Sequence, residues 1–143
     1  MDQIAIMKKS WGFAEKILDR RKTIESRWYS SKRLPWNRIN RGDIVYFKNS
    51  GEPVRIKATV DKVMQFSNLT PGAVMKLLKK YGKADGIEDI DKFYKFFINK
   101  KYCILVFLSN PKPVKPFGVD KKGFGAMSAW ISVPDISRIR KKN

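Results

Sequence analysis

Three charged side chains close together near the start of the chain have the chemistry needed to contact a nucleotide. They are Lys22, Glu25 and Arg27. Lysine offers a point charge with rotatable donors for phosphate, and arginine offers a planar fork that grips phosphate or the edge of guanine. Glutamate can accept a hydrogen bond from an exocyclic amine or orient the lysine. Each of these side chains can therefore contribute a contact to a nucleotide.

The spacing of these residues allows two interpretations. On a regular strand Lys22 and Glu25 face opposite sides, so both reach one site only if Lys22 lies in a turn before the strand begins. In the simpler interpretation Thr23, Glu25 and Arg27 share one strand face, where an ordinary solvated ion pair contributes little to stability. The spacing alone leaves both open.

A segment that mixes aromatic and basic residues follows directly. Its candidate nucleic-acid contacts are Tyr29, Lys32, Arg33, Trp36 and Arg38. Aromatic rings can stack on bases, at roughly 1–3 kcal/mol per base, while cations follow the phosphates, and this combination suits single-stranded nucleic acid. The alternatives are that Pro35-Trp36 pins a loop and that Trp28, which ends the strand, belongs to the core.

Composition favours a polyanionic partner and excludes several enzyme classes. Lys and Arg number 31 against 13 Asp and Glu in 143 residues, which gives a formal net charge of +18. Such an excess favours nucleic acid first and an acidic membrane surface second. With no His and one Cys, the chain lacks a zinc ligand set, a Cys-His dyad and a Ser-His-Asp triad. We therefore expect no metal and no cofactor.

The pattern of apolar residues predicts strands interrupted by helices, which is typical of an α+β barrel. A helix capped by Ser10 should end near Arg20, and Thr70 and Pro71 should open a second helix that ends at Gly82. Further elements are predicted as strands over 4–7, 22–28, 44–47, 54–61, 102–108 and 128–133, a helix over 87–98, a long connection over 110–125 and a basic tail over 138–143.

The segment around Lys22 resembles the Gly-x-Lys-x-x-Glu-x-Arg signature of ASCH domains. Lys22, Glu25 and Arg27 match, while Arg20 stands at the Gly position. The Gly42-Asp43 turn, the Pro116-Phe117 loop and the closing strand with Trp130 are also similar in placement. The resemblance implies a PUA-like mixed β-barrel with peripheral helices, formed by residues 1–143 as a single domain, with Lys22, Glu25 and Arg27 near a cleft beside the first helix.

The resemblance implies two functions. The first is an RNA-binding module, with RNA as the expected partner and DNA as the second. The alternative is a hydrolase that acts on RNA or on a modified nucleoside such as N4-acetylcytidine. Amidohydrolases of this kind use a Lys, a Thr three residues later and a Glu from elsewhere in the chain. Lys22 matches the first, but Glu25 occupies the position of that Thr.

Binding without catalysis is the expectation that we carry forward. The amidohydrolase nucleophile is missing, because Thr23 lies two residues from the required position and would face differently. A ribonuclease without His would have only Lys22 and Glu25 as catalysts. The longest apolar stretch has the length of a strand, and the first residues lack the pattern of a secretory signal. We therefore expect a cytoplasmic protein without a membrane partner. The oligomeric state stays open.

Overall fold

The computed structural model describes residues 1–125 and 127–141. Short 3-10 turns at Lys9–Trp11 and Ile136–Arg138 accompany the regular elements. In chain order these are β1 (Asp2–Met7), α1 (Phe13–Leu18), β2 (Ile24–Tyr29), β3 (Ile44–Asn49), β4 (Val54–Phe66), α2 (Pro71–Tyr81), α3 (Ile90–Phe97), β5 (Tyr102–Phe117) and β6 (Trp130–Val133).

The strands form one mixed sheet in the order β2-β5-β4-β3-β1-β6. β1 and β3 are parallel, and the other neighbouring pairs are antiparallel. α2 and α3 lie between β4 and β5 in the chain and pack against each other. The predicted α+β class is therefore confirmed, since strands and helices do not alternate in the regular manner of a parallel sheet.

The sheet is covered on both faces. The inner face, which carries Val45, Phe47 and Ile104, packs against apolar residues of the three helices such as Ile17 and Leu78. The outer face carries a smaller cluster formed by Ile4, Val54, Phe117, Val119, Ile131, Val133 and Ile139. The chain before and after β6 therefore folds back over the outer face. Of the predicted basic tail, residues 138–141 lie in this segment, and residues 142 and 143 lie outside the described residues.

The prediction of a long connection over 110–125 was wrong in its first half, because β5 continues to Phe117. β2 pairs with β5 only as far as Phe107, so beyond that point β5 is paired on one side, with β4. Proline is tolerated on such an edge and at bulges, and the register of β4 and β5 shifts near Lys57 and Thr59. The three prolines in the segment therefore fit an edge strand.

Two helix starts also differ from prediction. Ser10 lies in a 3-10 turn and makes no cap, because Gly12 adopts a left-handed backbone (φ 66°) and α1 begins only at Phe13. α3 begins at Ile90 rather than Ile87, since the Asp89 side chain accepts from the Lys92 amide and caps the helix there. The Thr70 cap of α2 is confirmed by its bond from the Ala73 amide.

Arg20 makes the turn between α1 and β2, where the family signature has glycine. Its φ is +69°, in the left-handed region that costs a residue with a Cβ roughly 1–2 kcal/mol. Arg20→Gly should remove that cost, but glycine also gives the unfolded chain more conformational entropy, which offsets part of the gain. We expect a net increase of about 0.5–1 kcal/mol in the free energy of unfolding. Urea denaturation tests this, and Arg21→Gly, at the next position, should not stabilise.

Candidate functional site

Lys22 lies in the turn before β2, which is the position that lets its side chain reach the same site as Glu25. Its amide donates to the Lys16 carbonyl at 2.9 Å, and the next two amides both donate to the Ala84 carbonyl. The side chain is fully buried: its Nζ lies 2.5 Å from Asp85 Oδ1, 2.7 Å from the Asp85 carbonyl and 3.2 Å from Glu25 Oε1. Glu25 is buried as well and the side chain of its partner Arg27 is only 12% exposed, so the interpretation of these residues as a solvated surface pair was wrong.

Asp85 is held by the tight link between α2 and α3. Its amide donates to the Tyr81 carbonyl at 2.8 Å, and Gly86 follows with a φ of +77°. A Cβ on Gly86 would lie 3.1 Å from the Cβ of Lys22, so this position has neither the backbone nor the space for a larger residue. The lysine and the link thus fit closely together.

The second oxygen of Asp85 connects this ion pair to β2. Ser26 Oγ donates to Asp85 Oδ2 at 2.5 Å and accepts from Trp28 Nε1 at 2.9 Å. Each polar atom in this chain of contacts has a partner, which is what buried polar groups require.

Arg27 joins β2, at one edge of the sheet, to β1 and to the residue before β6, at the other edge. Its guanidinium donates to Glu25 Oε2 at 2.8 and 3.1 Å, to the Ile6 carbonyl at 3.2 Å and to the Ala129 carbonyl at 3.2 Å. It also lies 5.1 Å from the ring centroid of Trp130. β1 and β2 share no ladder, so these bonds close the curled sheet at this point.

The two buried carboxylates differ in their proton affinity. Burial would raise the pKa of Glu25, but the charges and hydrogen bonds of Lys22 and Arg27 outweigh it, so this pKa is lowered. Burial also raises the pKa of Asp85, the negative charge of Glu25 adds to the effect, and Lys22 and Ser26 offset only part of it. Asp85 is therefore the group in this network that holds a proton more readily.

A cavity of about 260 Å³ lies beside this network, between β2, the end of β1 and α3. Aromatic residues form its walls, and Trp28 and Phe97 stack in parallel at 4.8 Å. Ser26 adds a hydroxyl group. The lining residues are Ile6, Met7, Lys8, Trp11, Phe13, Glu25, Ser26, Arg27, Trp28, Tyr29, Ile87, Phe93, Phe97 and Ala129. The volume is below that of a drug-sized site, so the cavity suits one small planar group.

The structure brings only some of the predicted site residues together. Glu25, Arg27 and Tyr29 line the cavity, and the buried Lys22 lies behind Glu25. Thr23 is exposed and does not line it.

Apart from Tyr29, the predicted aromatic and basic segment does not line this cavity. Trp36 packs edge-on against Tyr102 at 5.3 Å, and Lys32 lies over the Trp36 ring. Arg33 and Arg38 belong to the same connection between β2 and β3, and neither lines the cavity. A wider, open groove lies next to this connection, lined by polar residues such as Asn37, Asn40 and Gln65.

Sequence reasoning missed Ser26, Asp85 and the helical aromatic residues Trp11, Phe93 and Phe97. Asp85 precedes a glycine between two helices, so its position favours a turn and nothing there indicates a partner for Lys22. Trp28 was assigned to the core, and it is both buried and a wall of the cavity.

Within residues 1–125 and 127–141, no three His, Cys, Asp or Glu side chains come together as a group that could hold a metal ion. In the same part of the chain, no helix has the length and apolar character needed to cross a bilayer.

Comparison with known proteins identifies the fold. No family model matches this chain, and no curated protein matches it. The crystal structure of ASCH from Zymomonas mobilis superposes with a TM-score of 0.69 at 15% identity, over 99% of this chain and 96% of that one. Two variants of the same protein, one tyrosine-to-phenylalanine and one serine-to-alanine, give 0.68 at 15% and 16% identity, over 96% of this chain and 93% and 91% of theirs. The chain therefore has the ASCH fold, a PUA-like mixed β-barrel with peripheral helices.

Proposed function

We propose that this chain binds RNA and takes one unpaired base into the aromatic cavity beside Glu25 and Arg27. The observation that carries the proposal is the cavity itself, which is lined by several aromatic rings and one hydroxyl group. Bases stack on such rings with little regard to sequence. The net charge of +18 and the ASCH fold support a nucleic acid as the partner, with DNA as the second possibility.

In this proposal the buried charges shape the site rather than bind phosphate. The ammonium group of Lys22 is inaccessible and surrounded by three oxygen atoms, so it has no surface for a phosphate. Arg27 uses its donors to hold Glu25, Ile6 and Ala129 in place. Base contacts are thus left to the aromatic walls, Ser26 Oγ and Tyr29.

Trp11 provides the test, because it lines the cavity and is only half buried. Trp11→Leu should weaken binding of a fluorescently labelled single-stranded RNA by about 1–3 kcal/mol, the value of one stacked base. Trp36→Leu is the matched control, since it removes the ring in the predicted aromatic and basic segment. Equal losses in fluorescence anisotropy titrations, or a loss only with Trp36→Leu, would place the stacked base outside the cavity.

A hydrolase acting on a modified nucleoside is the second candidate, and the contacts of Ser26 favour it. Ser26 Oγ lines the cavity and donates to Asp85, whose raised pKa suits a group that takes up a proton. Lys22 holds Asp85 from the other side. Release of acetate from N4-acetylcytidine by the wild type, lowered by about 10²-fold or more in Ser26→Ala, would establish this candidate. We expect no such turnover.

A further inference from the structure

We propose that the nucleotide next to the inserted base stacks on Phe96, on the surface of α3, with its phosphates beside Lys8 and Lys92. The inference rests on the proposed function and adds a second binding position for the same RNA strand. Phe96 does not itself line the cavity, but its ring contacts residues that do.

A continuous row of aromatic rings leads from the cavity wall to Phe96. Beside the parallel stack of Trp28 and Phe97, the rings of Phe97 and Phe93 lie 5.9 Å apart between centroids. Phe93 in turn meets Phe96 edge-on at 5.7 Å. Phe96 also stacks on Trp11 at 5.8 Å, with 25° between the ring planes. Phe96 is therefore in direct contact with two residues of the cavity lining, Trp11 and Phe93.

Phe96 is the exposed end of this row. Its exposed fraction is 48%, whereas Phe93, three positions earlier on α3, is buried. Stacking on Trp11 occupies one face of the ring, and the exposed part can accept a further planar group. Single exposed phenylalanines are ordinary on protein surfaces, but this one continues a group of rings that ends in a cavity. A base stacked on Phe96 would thus lie next to a base inserted into the cavity.

Two lysines lie over the rings that contact Phe96. Lys8 Nζ is 5.3 Å from the ring centroid of Trp11, and Lys92 Nζ is 6.0 Å from that of Phe93. Lys92 also precedes Phe96 by four positions, so both project from the same side of α3. Among the described residues, no carboxylate forms an ion pair with either lysine. Both ammonium groups therefore keep donors for a phosphate.

The combination of an open ring and unpaired cations favours a nucleotide as the occupant. An apolar protein segment docked on Phe96 would bury the lysines without neutralising them, which costs free energy. A nucleotide supplies both complements, because its base has a π-face and its phosphate is negative. The acidic residues of this helix lie elsewhere: Asp89 caps it about two turns before Phe96, and Asp91 is about 140° round its axis from Phe96.

Three RNAs with the same backbone can separate the two positions. Each is a labelled single strand of equal length in which the bases are absent, except for none, one or two adjacent bases at its centre. Their phosphates are identical, so differences in affinity measure stacking. For the wild type we expect the first base to raise the affinity about tenfold, through the cavity. The second base should raise it about tenfold again, or about 1.4 kcal/mol for each step.

Variants assign each gain to its ring in fluorescence anisotropy titrations. Phe96→Ala should abolish the gain from the second base and keep the gain from the first, whereas Phe96→Tyr retains a ring and should keep both. Phe124→Ala is the matched control, since Phe124 is also exposed, lies in the chain before β6 and does not line the cavity. It should behave like the wild type. Trp11→Leu should lower the gain from the first base.

The salt dependence of binding tests the two lysines. For single-stranded RNA the slope of log affinity against log salt concentration falls by about 0.7 for each phosphate contact removed. Lys8→Gln combined with Lys92→Gln should therefore lower the slope by about 1.4. The control, Lys76→Gln combined with Lys79→Gln, removes the same charge from α2, which does not line the cavity, and should leave the slope near the wild-type value. Equal slopes in the two double variants would overturn the assignment of the phosphates.

The outcomes separate this inference from the proposed function. No gain from the first base in the wild type would overturn the cavity proposal and this inference with it. A gain from the second base that is absent, or that survives Phe96→Ala, would overturn the inference and leave the cavity proposal standing. If Phe96→Ala removes the gain from the first base as well, the ring supports the cavity instead of holding a second base, and the inference fails.

Discussion

Lys22→Met should lower the free energy of unfolding by about 3–5 kcal/mol, because removing one partner of a buried ion pair leaves the other charge uncompensated. The side chain has no exposed surface, and Met keeps much of its volume, so packing accounts for little of the loss. Adding Asp85→Asn should restore part of the stability, since the remaining Glu25 is still paired with Arg27. Urea denaturation gives each value.

The loss should also depend on pH. Without Lys22, the burial that already raises the pKa of Asp85 is no longer opposed, so the native variant holds a proton at a pH where the unfolded chain has released it. Stability therefore increases as pH falls towards the ordinary pKa of aspartate, about 3.9. The penalty of Lys22→Met should be smaller near pH 5 than near pH 7.

Lys9→Met is the control for this experiment, because Lys9 forms an ion pair with Glu52 on the surface. Its urea midpoint should stay close to the wild-type value, as expected for exposed pairs. A small and pH-independent effect of Lys22→Met would contradict the description of Lys22, Glu25 and Asp85 as a tightly coupled buried network.

Arg27→Met should cost about 3 kcal/mol, through a different set of contacts. The change leaves one Glu25 oxygen and the Ile6 and Ala129 carbonyls with fewer donors, at the place where β1 and β2 face each other without a ladder. Hydrogen exchange should quicken at the end of β1 and at the start of β6, because their attachment to β2 is lost.

Arg27→Lys is the matched variant, since it keeps the charge but not the planar fork. We expect it to retain the pair with Glu25 and to lose the simultaneous bonds to the two carbonyls, so its stability should lie between those of wild type and Arg27→Met. If Arg27→Lys is as stable as wild type, charge alone holds this side of the barrel together and the bridging geometry is unimportant.

Local patterns predicted much of the fold. The alternation of Val54, Ile56, Ala58 and Val60 and the cap at Thr70 depend on neighbouring residues only, and both are found. The far half of β5 was missed because its prolines are tolerated only on an edge, and which strand forms an edge depends on the order of the whole sheet.

The site was predictable to a similar degree. Lys22 and Glu25 are close in sequence, and the family signature marks both. Asp85 lies 63 residues beyond Lys22 and contacts it only because the link between α2 and α3 packs against the turn that precedes β2. The aromatic walls come from α3, where apolar spacing indicates a core face equally well. Long-range partners of this kind are fixed by tertiary packing, which a single sequence does not reveal.

The position of β1 in the sheet also bears on how quickly the protein folds. β1 lies between β3 and β6, whose pairing residues Ile44 and Val133 are far along the chain from Asp2. Closing such long loops costs entropy before the ladder returns any stability. Barrels dominated by non-local pairing fold in milliseconds to seconds, whereas helical bundles of similar stability need microseconds to milliseconds. During synthesis β1 can pair with β3 early, but its other edge stays unpaired until β6 has been made, which exposes it to non-native pairing in the meantime.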